Sequence, residues 1–346
     1  MAKRKPATPK DTVDIENSII KEFGEVFQEA SELQENPPAI IPTTPRMDMM
    51  LGGGVPEGSF VIISGKPKLG KSAISLHLAG NAQKIDSPFG PRKVYYFDIE
   101  GRIKERDLFK NHNLDISPDR FQLIRSNIDK LLYSEDFLDI GEKLIRHKPG
   151  CVFIFDSFSS MCSKARQEGS VGSRFRDDAP MMLSTFTKRI NQIIPINKSI
   201  VIGITHIIAN QGGMGRQQWL EASGEKIKYQ ADIKIKGTYF QDWMDGETII
   251  GQDVHWECDA AALRGPGAKA TCKLRFQHGY DEEAELVDLA SDFGIIEKKG
   301  AWFNYIPEDG EPQKFHGEAK CVAFLKENKD ICEKIRRRIS EEYVTF

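Results

Sequence analysis

Residues 65–72 read Gly65-Lys66-Pro67-Lys68-Leu69-Gly70-Lys71-Ser72, which fits GxxxxGK[ST] at every fixed position. Each fixed residue type has a chemical reason. The glycines let the backbone curl so that successive amide N–H groups face phosphate oxygens. Lys71 is spaced to reach the β and γ phosphates, and the Ser72 hydroxyl can ligand Mg²⁺ together with those phosphates. ATP with Mg²⁺ is therefore the expected ligand of this loop. The run Phe60–Ser64 before it reads as a strand, and SAISLHLAGNAQ after it reads as a helix, so the helix N-terminus adds partial positive charge at the phosphates.

Three further polar positions close apolar runs. Asp156 ends Val152–Phe155 and suits a second Mg²⁺-anchoring carboxylate; with Ser157 and Ser159 behind it, it also suits a helix N-cap. Asp98 and Glu100 close KVYYFDIEG, where Glu100 can orient or deprotonate a water attacking the γ-phosphate. Thr205 and His206, within SIVIGITHII, are read as the end of the fourth strand. His206 reads either as a structural histidine or as a polar group that reports nucleotide state to the next loop.

The elements that must position these residues are legible in outline. SFVIISG, KVYYFDIEG, CVFIFDSFSS, SIVIGITHII and ADIKIKG are short apolar runs, the first four of them separated by helical stretches. Runs apolar on both faces that alternate with helices indicate an α/β fold with a mostly parallel sheet. Met182, Phe186, Ile190 and Ile193 form one helical stripe, read as core. Residues 1–12 are basic, contain proline and read as disordered. A helix is expected from Val13 to about Leu33, on the spacing of Ile15, Ile19, Ile20, Phe23, Val26 and Phe27, and the Pro-broken linker ENPPAIIPTTP follows. From about residue 284 the chain becomes more charged and helical, which suggests a small second domain.

Two irregular stretches carry cations and aromatics. Ser163–Pro180 holds Lys164, Arg166, Arg174, Phe175 and Arg176; Ile207–Gly224 holds Gly212, Gly213, Met214, Arg216 and Trp219. They read either as solvated loops or as single-stranded nucleic-acid contacts, in which cations meet phosphates and aromatics or Met meet bases. With a net charge of −3, nucleic-acid binding has to come from such a local basic face. The six cysteines are scattered without a CxxC pair, which suggests neither a zinc site nor a disulfide framework and fits a reducing cytoplasm. No apolar run approaches membrane-spanning length, and no apolar segment follows the basic N-terminus as in a secretory signal.

The chain resembles the RecA family of recombinases, including the phage UvsX-type members, over nearly its whole length. IPTTPRMDMMLGGGVPEGSFVIISGKPKLGKS is similar to the family's segment leading into the phosphate loop. YYFDIEG resembles the strand with the catalytic glutamate, here Glu100, and CVFIFDSFSS the Mg²⁺-aspartate strand, here Asp156. GITHII resembles the strand with the nucleotide-sensing residue, here His206, as in the UvsX type. ELVDLASDFGIIEKKGAWFNY is similar to the family's approach to its C-terminal domain.

The resemblance implies a P-loop NTPase RecA-type core at 41–283, an N-terminal protomer-docking arm at 1–40 and a small C-terminal α+β domain at 284–346. It implies a single-stranded-DNA-dependent ATPase that forms helical filaments and catalyses homologous pairing and strand exchange in recombination and repair. Lys71, Glu100 and His206 would be its catalytic residues, and Ser72 and Asp156 its metal ligands. Arg174, Phe175, Arg176, Gly212, Gly213, Met214 and Arg216 would bind DNA. Implied partners are single- and double-stranded DNA, further copies of the chain, and loader and single-strand-binding proteins, in the nucleoid or host cytoplasm and away from membranes. A hexameric helicase-type motor and a non-catalytic accessory protein are the alternatives. The chain departs from the family where two lysines reach the neighbour's ATP: Ala260 and Ala262 stand there, and Arg264 or Lys269 is the substitute cation. No aromatic after Glu100 matches the residue expected to stack on adenine.

Overall fold

The structure, a computed structural model, describes residues 9–27, 29–109, 114–170, 178–209, 219–221, 225–307 and 311–343. It divides into residues 1–38 and 39–346, each described by itself. In the first unit, α1 (Pro9–Phe23) and α2 (Ala30–Glu35) take the place of the single helix expected over Val13–Leu33. The break comes at Gly24, whose N–H closes on Ile20 O at 2.8 Å. Ile15, Phe23, Val26 and Phe27 are exposed.

The second unit is built on one twisted sheet. Its strands, in chain order, are β1 (Phe60–Gly65), β2 (Val94–Asp98), β3 (Phe121–Ile124), β4 (Val152–Asp156) and β5 (Ile200–Ala209). They continue with β6 (Ile233–Asp245), β7 (Thr248–Ala260), β8 (Lys269–Arg275) and β9 (Gly279–Tyr280). The spatial order is β9-β8-β7-β6-β1-β5-β4-β2-β3, parallel from β6 through β3 and antiparallel from β7 through β9; the short segment Trp219–Glu221 pairs antiparallel with β5. The parallel strands are apolar because both faces are covered. On one face lie α3 (Pro45–Leu51) and α4 (Lys71–Gln83), whose Ile74, Leu76, Leu78 and Ala82 pack with Val61, Ile63, Ile154 and Ile202. On the other lie α5 (Ser134–His147) and α6 (Ala179–Ile190), whose Phe137, Leu183, Phe186 and Ile190 pack with Phe97, Phe153 and Phe155. Of the helical stripe read as core, Phe186 and Ile190 are buried, while Met182 and Ile193 are partly buried against the same cluster.

The long hairpin β6–β7 departs from the sequence reading, which expected only a short strand at ADIKIKG. Its two 13-residue strands meet at a two-residue turn, Gly246-Glu247, closed by the pairing of Asp245 with Thr248; Gly246 supplies the positive φ, 60°, that such a turn needs. Beyond β9 come α7 (Glu282–Asp292), the antiparallel strands β10 (Ile296–Lys299), β11 (Trp302–Tyr305) and β12 (Gln313–His316), then α8 (Glu318–Glu327) and α9 (Lys329–Tyr343). They share their own core of Leu286, Val287, Leu289, Ile296, Phe303, Leu325 and Ile335. Polar contacts tie this region to the sheet. Glu285, fully buried, accepts from Lys273 N at 2.8 Å and Arg46 N at 3.3 Å, and His77 on α4 lies 2.9 Å from Glu282 on α7.

Candidate nucleotide site

Four neighbouring parallel strands end at one edge, and the polar residues that follow them converge there, where ligands bind in open α/β sheets. β1 leads into the phosphate loop. Gly70 sits at φ 69°, a left-handed conformation that costs glycine little, and turns the chain into α4. No side chain caps α4, so its first amides remain directed at the loop. Lys71 folds back inside the loop and donates to Gly65 O at 3.1 Å and Lys66 O at 2.8 Å. Burial pushes its ammonium down to about 8, against the pull of Asp156 and Glu100.

Asp156 stands at the end of β4, in register with Asp98 on β2. Its Oδ2 accepts from Ser72 Oγ and from Tyr96 OH, both at 2.6 Å. Burial and the Asp156 carboxylate hold the Tyr96 phenol well above its ordinary value, so it stays a donor. The carboxylate and the hydroxyl of the Mg²⁺ hypothesis are thus neighbours, both hard oxygen ligands, with Tyr96 holding Asp156 from behind. Among the described residues no group of three or more His, Cys, Asp and Glu is placed to hold a metal by itself. The pair fits a Mg²⁺ that takes its remaining ligands from phosphates and water.

Glu100 lies just past β2. Its Oε1 accepts from Ser160 Oγ at 2.7 Å, Ser157 Oγ at 2.8 Å and His206 Nε2 at 2.8 Å. Its Oε2 lies 3.3 Å from the exposed Arg102. The hydrogen bond from His206, joined by those from the two serines, outweighs burial and holds Glu100 down at about 2. Because Glu100 is then an acceptor, Nε2 of His206 carries the hydrogen. The backbone N–H of His206 donates to Ser159 Oγ at 2.7 Å. β5 does not end at His206, as the sequence suggested, but runs on to Ala209.

Lys71, Ser72, Asp156, Glu100 and His206 line one cleft of about 510 Å³, together with Pro67, Lys68 and Gly70 of the loop. Leu274, Phe276 and Gly279 line it too. Phe276, from the turn after β8, is 43% exposed there. Tyr96, Ser157 and Ser160 were missed in the sequence. Apart from the buried, apolar-looking position of Tyr96, no sequence signal marks them. Asp98, the other carboxylate of the run, turns to the backbone and accepts from Arg102 N at 3.0 Å.

Arg264 is not part of this cleft. It donates to Met49 O at 2.8 Å and lines a separate cavity with Arg46, Tyr239, His255 and Lys269. Arg174, Phe175, Arg176, Gly212, Gly213, Met214 and Arg216 lie outside the described residues.

A family model of the RecA N-terminal domain matches residues 15–281, and one of the RecA C-terminal domain matches residues 284–344. The chain belongs to the RecA family. Among its relatives is the Protein RecA of Caldanaerobacter subterraneus subsp. tengcongensis, 28% identical over 88% of this chain and 84% of that protein. The Protein RecA of Bacillus pumilus is 27% identical over 94% and 90%, and that of Thermotoga neapolitana 27% over 92% and 88%. Membership brings a function in recombination and repair, for which filament formation and strand exchange are typical, with DNA-dependent ATPase activity and nucleotide and metal binding in general. No helix among the described residues is long and apolar enough to cross a membrane.

Proposed function

We propose that this RecA-family chain is a single-stranded-DNA-dependent ATPase that filaments on DNA and pairs it with homologous duplex through the residues of this cleft. The observation that carries the reading is the convergence of Lys71, Ser72, Asp156, Glu100 and His206 on one cavity at the sheet edge. The loop amides and Lys71 hold the triphosphate, and Ser72 and Asp156 hold Mg²⁺, which would neutralise charge on the phosphoryl oxygens. Glu100 directs the water. His206, bonded to Glu100 at one ring nitrogen and continuous through β5 with the second basic stretch, links the γ-phosphate position to DNA.

Arg174, Phe175, Arg176, Gly212, Gly213, Met214 and Arg216 form the DNA-binding loops in this reading, with cations on phosphates and Phe175 and Met214 on bases. Phe276 offers a stacking face for the base of the nucleotide. Arg264 serves the neighbour's ATP rather than its own, in keeping with its place outside the cleft. Residues 1–40 form the protomer-docking arm, with apolar side chains exposed for that contact. The core spans 41–283 and the C-terminal domain 284–346. Loader and single-strand-binding proteins are its partners in the nucleoid or host cytoplasm.

Steady-state ATP hydrolysis with and without single-stranded DNA tests the reading, with Glu100→Gln as control. Strong stimulation that is lost in Glu100→Gln is expected. Hydrolysis indifferent to single strands would overturn it.

A further inference from the structure

The two oxygens of Glu100 have different surroundings. Oε1 accepts from His206 Nε2 and Ser157 Oγ, both at 2.8 Å, and from Ser160 Oγ at 2.7 Å. The serine turn that supplies two of these donors is pinned by Phe158, which is buried, stacks on Phe155 with ring centroids 5.2 Å apart and covers Gly203. Oε2 is therefore the oxygen that can face a water. Arg102 stands beside it, with Nη1 3.3 Å away.

The backbone fixes where Arg102 starts. Asp98, buried at the end of β2, accepts from Arg102 N at 3.0 Å, so the side chain springs from a held point two residues past Glu100. That side chain is 81% exposed and lines the nucleotide cleft. An ion pair so exposed holds weakly, and a triphosphate brings more negative charge than one carboxylate. The guanidinium has five N–H donors in a flat fork, which suits phosphoryl oxygens.

The other described cations of the cleft are placed differently. Lys71 gives protons to Gly65 O and Lys66 O, and Lys68 belongs to the phosphate loop itself. Arg275 lies 3.3 Å from Asp281 and over the Trp243 ring. Arg264 lines a separate cavity. Arg102 is the cation that stands where the attacking water would stand.

We infer that Arg102 is a further catalytic residue, a guanidinium supplied by the same chain that binds the γ-phosphoryl oxygens as charge builds on them. The inference rests on Glu100 as the water-directing group. In the step, the water oxygen bonds to the γ phosphorus while the bond from that phosphorus to the β–γ bridging oxygen breaks. The bridging oxygen leaves with the electron pair, on ADP, and both hydrogens of the water end on the inorganic phosphate. Glu100, held down at about 2, aims the water and keeps no proton. Midway, charge is spread over the three equatorial oxygens of the phosphoryl group, and Arg102 meets it from the side of the water.

Arg102→Ala tests this. Its kcat should fall about 10²–10³-fold, the weight of one transition-state donor, while KM for ATP stays within about threefold of wild type. Binding of ADP with Mg²⁺ and aluminium fluoride, a planar mimic of the phosphoryl group in transit, gives a reading apart from turnover. Arg102→Ala should bind ADP alone as wild type does, which also shows that it folds, and the fluoride complex about 10²-fold more weakly. The same loss should appear when Arg102→Ala is added to Glu100→Gln. If it vanishes there, Arg102 acts only through Glu100, and the inference is overturned. Equal losses for ADP and the fluoride complex, or a wild type that holds the complex no tighter than ADP, would overturn it too. Arg102→Ala mixed with Lys71→Ala should stay inactive; recovered turnover would place the arginine in a neighbour's site instead. The binding measurements need no DNA, so they judge Arg102 even if hydrolysis proves indifferent to single strands, the outcome that overturns the proposed function.

Discussion

Ser72 Oγ donates to Asp156 Oδ2 at 2.6 Å, joining the first turn of α4 to the end of β4 across the mouth of the phosphate loop. If the pair is the protein's share of the Mg²⁺ shell, Asp156→Asn should lower kcat about 10²–10³-fold and raise the Mg²⁺ concentration needed for half-maximal rate. Ser72→Ala should do the same to a smaller degree, and the double variant should lose less than the sum because both side chains serve one ion. ATPase rates across a Mg²⁺ titration measure all three. A Mg²⁺ dependence unchanged in Asp156→Asn would remove it from the site.

Changing Arg174 and Arg176 together to Ala should weaken single-stranded DNA binding and flatten its salt dependence. For every phosphate that is no longer neutralised, the slope of log K against log salt should fall by about 0.7. Fluorescence anisotropy at several salt concentrations reads the slope, and a wild-type slope would take that stretch off the DNA path.

Arg264→Ala should fold normally and leave nucleotide binding to its own cleft intact. Mixed with wild type, it should depress DNA-stimulated turnover more than in proportion to its share, because each such protomer would also disable a neighbour's site. Turnover that falls only in proportion would show that Arg264 does not act in trans.

Glu285 gives the seam between sheet and C-terminal region a pH dependence. Burial pushes its carboxyl up from 4.5 to about 8, despite hydrogen bonds from Thr44, Lys273 and Arg46. Between those values the folded chain keeps a proton that the unfolded chain releases, so stability from this group falls as pH rises from about 4.5 to 8. Glu285→Gln cannot lose that proton. Thermal melts at pH 5 and pH 8 should therefore show the variant gaining on wild type at the higher pH. A constant difference in Tm would mean that Glu285 is not protonated in the fold.

Gly203→Ala should destabilise by about 1–3 kcal/mol, as overpacking does, because the added methyl displaces the Phe158 ring. Denaturant midpoints measure this. A neutral outcome would show that the ring has room to move and that the serine turn is anchored elsewhere.

What the sequence could and could not reveal divides along chain distance. The phosphate loop lies in one run of eight residues with its strand and helix attached, so Lys71 and Ser72 were legible outright. Asp156 and Glu100 were legible as polar residues at strand ends because parallel strands bring their C-terminal ends to one edge; His206 was legible as a polar interruption of an apolar run, although its strand continues past it to Ala209. The clasp on Glu100 was not, since it joins positions 100, 157, 160 and 206, and no local spacing encodes which strands lie side by side. Phe276 was missed for the same reason, coming to the cleft from the antiparallel side of the sheet. The β6–β7 hairpin had a local signal in the glycine of its Gly246-Glu247 turn, but Asp242, Gln252 and Asp253 interrupt the apolar alternation that marks a strand. The first helix was overextended because its apolar spacing runs on past Gly24.

Lys71 has three ammonium protons, and the loop's own carbonyls, Gly65 O and Lys66 O, take two of them. One proton is left for a phosphate oxygen, so the side chain acts as a bracket between backbone and ligand as well as a charge. An arginine keeps the charge but replaces a compact tripod with a flat, longer fork, which cannot turn toward two carbonyls inside the curl and a third acceptor outside it. At this position the shape of the cation is part of the specification, and a charge-conserving exchange should cost the loop its form along with its grip on phosphate.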